Sequence, residues 1–421
     1  MATEAAMPEA VLLRWARTEG MAEIEQYRRA GGYDAARRAA TELTPDQVIE
    51  MVAASGLRGK GGAGFPTAQK LKFIPKAAPV KYVVVNGDEG EPGTFKDRTL
   101  IEGCPHLLVE GILIAAVTIG ARKVYVYLRR EFYRGRRLLD AAIAQARGAG
   151  FVGERIFGTD YAVEIVVHPG AGAYIAGEET ALLESLEGRR AMPRQRPPFP
   201  AQAGLYQQPT LVQNVETLCH LPVIIGLGPE RYKELGPPAL FSVSGAVARP
   251  GVYEAPLGVT LRSLIFGHAG GMLPGRRFKA AFPGGVSSVF LTEADLDVKM
   301  DPDSLRQAGT MLGSAAVIVV DDSADMVEVM ARAVEFYRDE SCGKCTPCRE
   351  GTTWIAQVFE RMLHGRGRSE DLALLEGIAG GMTGTCFCPL GESVPPGLVA
   401  SLRLFRDEYE RRIAAGATDG R

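Results

Sequence analysis

Three of the chain's seven cysteines, Cys342, Cys345 and Cys348, fall in the run SCGKCTPCREG, and Cys388 lies far downstream in CFCPLG. No other feature restricts the fold so tightly, because a shared inorganic centre draws a distant segment back onto this one. A 4Fe–4S cube needs one thiolate per iron. Two intervening residues let one segment wrap a corner of the cube and supply three ligands, and the fourth then arrives from elsewhere. Thr352 stands where two-cluster ferredoxins carry a further cysteine, so a single cluster is expected. Structural zinc also takes four thiolates, but usually from two separated C-x-x-C pairs rather than a triple. Cys386 and Cys388 both lie in TCFCP. The proline after Cys388 matches the ending of ferredoxin-type ligand sets, which makes Cys388 the expected fourth ligand. Cys104 and Cys219 have no local partner and are expected to be buried thiols.

Composition excludes more than it identifies. The 421 residues, 46% of them hydrophobic, suffice for two to three domains, each with its own core. Lys and Arg number 48 against 50 Asp and Glu, so no basic face, and hence no nucleic-acid partner, is implied. An odd number of unevenly spaced cysteines fits a reducing compartment with thiolates used as ligands. The opening MATEAAMPEAVLLRWARTEG lacks a basic region followed by an apolar one, so no secretory signal is expected. The longest apolar run, LLVEGILIAAVTIGA, is short and carries Glu110, which predicts a buried helix and no membrane span.

Helices are expected up to about residue 55, one opened by the capping box Thr44-Pro45-Asp46-Gln47 and stopped by Gly56. The runs VKYVVVN, KVYVYL and YAVEIVVH read as strands, with helices from about Pro105 to Gly120 and Arg130 to Gly148 between them. That alternation predicts a helix-covered parallel sheet with ligands at the carboxyl ends of its strands. The proline-rich MPRQRPPFPAQAG is expected to be irregular. From Leu240 to about Asp321, FSVSGAV, GVYEAP, KAAFPG and AAVIVVDD read as strands of a small mixed sheet around a helix at VTLRSLIF. Four helical patterns then follow: DMVEVMARAVEFYRDES, TWIAQVFERMLH, DLALLEGIAGGM and PPGLVASLRLFRDEYERR.

Candidate binding residues cluster in loops. Gly59, Lys60, Gly61, Gly62, Ala63 and Gly64 offer backbone N–H groups for close approach of a phosphate. Lys60 and Lys70 add charge, and Phe65 and Phe73 are either base-stacking or core aromatics. Asn86, Asp88, Glu89 and Glu91 form an acidic loop at a strand end. Tyr174, Gly177, Glu178 and Glu179 form a second polar loop, and Asn214 marks a third. Together they suggest one nucleotide-like ligand with many polar edges.

The runs GLRGKGGAGFPT, NGDEGEPGTFKDR, GAYIAGEETALLESLEG, PPFPA, QNVETL and ESCGKCTPCREG resemble the family of NADH-binding flavoprotein (51 kDa) subunits of respiratory complex I. The same module occurs in diaphorase subunits of NAD-linked hydrogenases and formate dehydrogenases. The resemblance covers residues from about 10 to 412. It implies an α/β fold: an N-terminal helical segment (1–55), a Rossmann-like FMN- and NADH-binding domain (56–238), a ubiquitin-like β-grasp domain (239–325) and a helical bundle with a 4Fe–4S cluster (326–421). The FMN phosphate would meet Gly59 to Gly64 and Lys70. The flavin ring and ribityl chain would meet Asn86, Asp88, Glu89, Tyr174, Gly177, Glu178 and Asn214. NADH, the substrate, would touch Phe65, Lys70, Phe73, Glu91, Glu179, Arg196 and Phe199. Cys342, Cys345, Cys348 and Cys388 would hold the cluster. The implied activity is hydride transfer from NADH to FMN, then single-electron transfer through the cluster toward quinone, with no protein acid or base acting as a catalyst. A diaphorase role in a soluble hydrogenase or formate dehydrogenase is the alternative. Implied partners are a thioredoxin-like 2Fe–2S subunit and a large multi-cluster iron–sulfur subunit, in a complex on the cytoplasmic face of the inner membrane. Lys60, Ala68, Leu71, Arg196 and Gln213 depart from the family's commoner residues.

Overall fold

Val83, Val84 and Val85 have no exposed surface, and the strand they form sets the architecture of the first half of the chain. The computed structural model describes residues 10–419, with side chains to 414. The expectation about a secretory signal falls partly on residues 1–9, outside this range. The chain divides into two units. One comprises the residues up to Gly90, Thr94–Ser242 and Val252–Val259; the other comprises Glu91–Gly93, Val243–Gly251 and Thr260 onward.

The first unit holds a sheet of β1 (Tyr82–Gly87), β2 (Lys123–Leu128), β3 (Glu164–Pro169) and β4 (Thr210–Asn214), in the order β3-β2-β1-β4. All three pairings are parallel. Every connection carries at least one helix, as parallel strands require. Helices Lys96–Gly103 and Pro105–Ile119 lie between β1 and β2, Tyr133–Gly148 between β2 and β3, and Glu179–Leu186 between β3 and β4. The strand order reverses at β1, which places a ligand crevice at its carboxyl end.

Strands β1 to β3 fall where the sequence predicts them, and the capping box forms at Thr44 and Gln47 with Gly56 closing that helix in the left-handed conformation. Three elements differ. Strand β4 is five residues long and shows no alternation. Helix Lys96–Gly103 begins inside what reads as the tail of an acidic turn, because its capping group comes from an earlier loop. Within the proline-rich stretch, Pro200–Ala203 makes one helical turn, with proline at the first position where it needs no N–H partner. Helix Pro105–Ile119 is buried except at Val117, and Glu110 is satisfied there by the Tyr27 hydroxyl and the Ala36 N–H. Among the described residues no single helix is long and apolar enough to cross a membrane; Lys96–Gly103 with Pro105–Ile119 qualifies only as a pair bent by 100°.

The second sheet has the order β6-β5-β8-β7, formed by β5 (Pro238–Gly245), β6 (Gly251–Pro256), β7 (Phe278–Phe282) and β8 (Ala316–Asp321). In the second unit, β7 and β8 pair antiparallel. The helix expected at VTLRSLIF is a π-type turn over Ser263–His268. Helices Met326–Glu340, Thr346–Leu363, Glu370–Met382, Val394–Leu404 and Arg406–Asp419 follow. The sequence pattern joins the last two into one; they part at Phe405, whose ring packs on Phe290 at 5.4 Å.

A carboxylate from far along the chain fastens the start of the first unit. Glu254 accepts the N–H groups of Val11, Leu12 and Leu13 at 2.8, 2.9 and 2.7 Å, at the head of helix Leu13–Arg17. Glu254→Ala leaves these buried donors unpaired. We expect the amides of Leu12 and Leu13 to exchange roughly 30-fold faster, equivalent to about 2 kcal/mol, in hydrogen–deuterium exchange.

Candidate functional site

Strands β1 and β4 end side by side, with Asn86 opposite Asn214 and Val85 opposite Gln213. The loop after β1 closes on the loop after β3. Asn86 donates to the Gly177 carbonyl at 2.8 Å, and an added Cβ at Gly90 would lie 2.9 Å from the Tyr174 ring. Gly177 likewise has room for no side chain without tightening against the Asp88 carbonyl at 3.3 Å. Asn86, Asp88, Tyr174, Gly177 and Asn214 are therefore brought together as the sequence suggests.

The glycine segment is latched to the start of helix Val215–Leu227. The Lys60 N–H donates to Thr217 Oγ1 at 2.8 Å, and a Cβ on Gly61 would sit 3.1 Å from Asn214 Cβ. Gly62 adopts φ +121°, which side-chain-bearing residues rarely do. Backbone N–H groups and a helix N-terminus thus meet at one place, as anion binding requires. The Lys60 ammonium does not join them: it donates to the Pro238 carbonyl at 2.9 Å, and burial lowers its pKa. Lys60 contributes backbone here, against the expectation of a phosphate-facing charge. Gln213 Nε2 and Thr67 Oγ1 are buried without a hydrogen-bond partner among the described residues. Each such group costs about 1–3 kcal/mol, so a polar ligand that engages them is favoured. The residues fit a phosphate-bearing flavin.

Phe65, Phe73 and Phe199 are 41%, 57% and 52% exposed, which excludes a core role for the first two. The rings of Phe65 and Phe73 lie 6.1 Å apart. Lys70 pairs with Glu179 at 3.0 Å, and Arg196 pairs with Glu178 and, at 3.3 Å, with Glu179. Glu178 also caps helix Glu179–Leu186. Glu89 is committed to the helix after β1: its two oxygens accept the N–H groups of Asp97 and Arg98 at 2.7 and 3.1 Å. Burial and the nearby Asp97 push Glu89 up to about 8, against those two donors. In the second unit, Glu91 accepts both the N–H and the hydroxyl of Ser287, at 2.9 and 2.7 Å.

Behind these residues lies a buried charge cluster that sequence reasoning does not find. Lys96 sits 2.6 Å from Glu216 and 3.1 Å from Asp97, all three almost wholly buried. The available signal is Glu216 itself, an acid in the apolar helix VETLCHLPVIIGL. Burial opposes ionisation of Glu216, but Lys96 overcomes it and holds the carboxyl down at about 2. Burial pushes Asp97 up and the charge of Glu216 adds to it, against the opposing pull of Lys96 and the hydrogen bond from Asn214. His220 donates to or accepts from Tyr232 at 3.1 Å, and burial pushes it down to about 4. The unfolded chain therefore takes up a proton between pH 6.5 and 4 that the folded chain refuses. This contribution is complete above pH 6.5 and lost as pH falls toward 4, on the order of 3 kcal/mol over the window. His220→Gln is expected to reduce the drop in urea midpoint between pH 7 and pH 5.

In the second unit, Cys342 and Cys345 lie before helix Thr346–Leu363, and Cys348 lies within its first turn rather than in a loop. Phe387 N–H donates to Cys345 Sγ at 3.4 Å, so the downstream segment does reach the cysteine run. Cys388 stands at the position just before the short helix Pro389–Glu392, with no capping hydrogen bond from its side chain. Cys386 is close as well: a Cβ on Gly391 would lie 2.6 Å from Cys386 Sγ and 3.0 Å from Cys348 Cβ. Burial, with the neighbouring thiols adding to it, holds Cys348 up at about 11 and Cys386 at about 12, so cluster loading must displace protons. Among the described residues no three His, Cys, Asp or Glu side chains converge as ligands of a single metal ion. A cube spreads its four thiolates over four irons, and the five cysteines of this region suit it as donors. Cys388→Ala is expected to abolish or distort the low-temperature EPR signal of the reduced cluster, whereas Cys386→Ala preserves it. The opposite pattern makes Cys386 the ligand.

Known proteins bear on these sites. The Nuo51 FMN-binding domain matches residues 52–223, the SLBB domain 240–291, and the NADH-ubiquinone oxidoreductase-F iron-sulfur binding region 328–412. The F 2 subunit of the NADH-quinone oxidoreductase of Rhizobium meliloti (strain 1021) is 50% identical over 413 residues, covering 97% of this chain and 98% of that protein. The F subunit of the NADH-quinone oxidoreductase of Escherichia coli (strain K12) is 44% identical over 398 residues, covering 93% and 89%. A chain in the crystal structure of NAD+-reducing [NiFe]-hydrogenase in the H2-reduced state superposes with a TM-score of 0.83 at 36% identity, covering 96% of this chain and 66% of that one. The zinc alternative gives way to the iron–sulfur match. With its parallel flavin-type sheet, its SLBB region and its helical cysteine segment, the chain belongs to the family of NADH-quinone oxidoreductase F subunits.

Proposed function

We propose that the strand-end loops of β1, β3 and β4 and the latched glycine segment hold the flavin through which this NADH dehydrogenase subunit takes in electrons. The observation that carries the reading is the meeting of Gly59–Gly64 with Asn214 and Thr217 beside the ends of β1 and β4. When bound, FMN accepts a hydride from NADH, and the 4Fe–4S cluster passes its electrons singly toward partner subunits. The protein's own task is placement. Backbone N–H groups of Gly61, Gly62, Ala63 and Gly64 bind the phosphate, whereas the Gly59 N–H, against expectation, is taken by the Phe65 carbonyl at 2.8 Å. Lys70, whose ammonium lies 3.2 Å from the Val212 carbonyl of β4, adds charge. Asn86, Asp88, Tyr174, Gly177, Glu178 and Asn214 orient the ring and ribityl chain, and Glu89 holds its loop in shape. Exposed Phe65, Phe73 and Phe199 stack on the adenine. Glu179 and Arg196 position the dinucleotide. Cys342, Cys345, Cys348 and Cys388 bind the cluster. No side chain needs to move a proton in the hydride step.

The subunit works within a multi-subunit enzyme. We assign as its neighbours a thioredoxin-like 2Fe–2S subunit and a large multi-cluster iron–sulfur subunit, in a peripheral complex on the cytoplasmic face of the inner membrane. A diaphorase role is the second reading, which the hydrogenase superposition favours; this chain spans only 66% of that hydrogenase chain but 98% of the Rhizobium relative.

Glu178 and Glu179 repel a 2′-phosphate, although Lys70 and Arg196 blunt the effect. Ferricyanide reduction is expected to run with kcat/KM at least about tenfold higher for NADH than for NADPH, equivalent to about 1.4 kcal/mol. Glu179→Gln is expected to raise KM for NADH while FMN stays bound. Equal use of NADPH, or an unchanged KM, contradicts the assignment.

A further inference from the structure

The buried cluster behind the sheet has a donor–acceptor order that admits one arrangement. Asp97 Oδ1 faces the Lys96 ammonium at 3.1 Å, and Asp97 Oδ2 accepts from Asn214 Nδ2 at 2.6 Å. Both neighbours are donors, so the group between them has to accept on both sides; an ionised carboxylate does, and an amide does not. Lys96 in turn reaches Glu216 Oε2 at 2.6 Å, and Glu216 Oε1 accepts the Leu240 N–H at 3.0 Å. At the far end, Asn214 Oδ1 accepts the Thr217 N–H at 3.3 Å. The Asn214 amide is therefore fixed at both its atoms, oxygen toward the helix and nitrogen toward Asp97. Its second N–H has no partner among the described residues, and the Gly61 backbone lies against this amide.

We propose that Lys96 and Asp97 are positioning residues for flavin binding: the Glu216–Lys96–Asp97 chain locks the Asn214 amide so that it presents an N–H to the ligand beside the glycine segment. Lys96 holds the charge of Asp97 in a place where water does not. Without that charge only the longer Thr217 N–H contact, at 3.3 Å, still orients the amide, which then turns over more readily and offers oxygen where the ligand needs a donor. The inference rests on Asn214 touching the flavin, as assigned above.

The test uses the assembled enzyme, with FMN removed and titrated back while bound flavin is followed by fluorescence. The variants are Asn214→Ala, Asp97→Asn, Lys96→Met and the double variant Asp97→Asn/Asn214→Ala. Iron content and far-UV circular dichroism report the fold. Asp97→Asn keeps the shape of the side chain and decides the question if Lys96→Met does not fold. We expect each single variant to weaken FMN at least about tenfold, and the double variant to be no weaker than Asn214→Ala alone. A packing role for Asp97 instead gives additive losses. Additivity, or FMN affinity within about twofold of the parent in Asp97→Asn while Asn214→Ala loses it, overturns the proposal. Unchanged affinity in Asn214→Ala overturns the placement of Asn214 at the flavin, and the proposal with it.

Discussion

The hydrogen-bond ladders that run parallel along both edges of β1 are the constraint on which the flavin site depends. A strand paired in parallel on each side has its two neighbours delivered by separate crossovers, one leading away from it and one returning to it. The polar loops that leave β1, β3 and β4 then emerge at one end of one sheet. Loops distant in sequence meet there through Asn86 and Gly177, and Asn86 and Asn214 stand in register because their strands do. Glycine matters at the points of closest approach: Gly61 against Asn214, Gly90 against Tyr174.

The same sheet creates an electrostatic problem. Helices that cover a parallel sheet are apolar, and helix Val215–Leu227 brings Glu216 into surroundings that disfavour any charge. Pairing Glu216 with Lys96 answers this, and the lysine's remaining reach is used on Asp97. Replacing such a set by well-packed apolar side chains is often neutral or stabilising, so stability alone is a weak reason for its presence. What an ionic chain supplies and an apolar one does not is direction. It distinguishes donor from acceptor at each step and carries that distinction to the edge of the site.

Much of the architecture is legible in the sequence because the deciding interactions are local. Thr44 and Gln47 cap each other within one turn, Gly56 needs only its own φ, and Val83 to Val85 announce a strand buried on both faces. The motif-bearing loops are likewise visible, as is the cysteine run with its remote partner segment. What escapes depends on distant partners. Strand β4 is short and becomes a strand only because β1 pairs with it. Helix Lys96–Gly103 is capped by Glu89 from another loop. Lys60 reads as a phosphate ligand until the Pro238 carbonyl claims its ammonium. Cys348 belongs to a helix, since Pro347 two positions past the cap suits a helix start better than a turn. The burial of Lys96 follows from the sheet and the helices around it, which no single window of sequence contains.

Glu254 gives the first unit an unusual order of assembly. Its carboxylate closes the head of a helix some 240 positions earlier, and residues 252–259 belong to that unit although an excursion into the other one separates them from the rest. On the ribosome, the N-terminal helix is therefore made long before its anchor. At about 5–20 residues per second the interval is roughly 10–50 s, ample time for the parallel sheet's longer loops to close. The sheet would form first and the segment that Glu254 anchors last, so that a stretch synthesised well before its anchor is among the latest to be fixed.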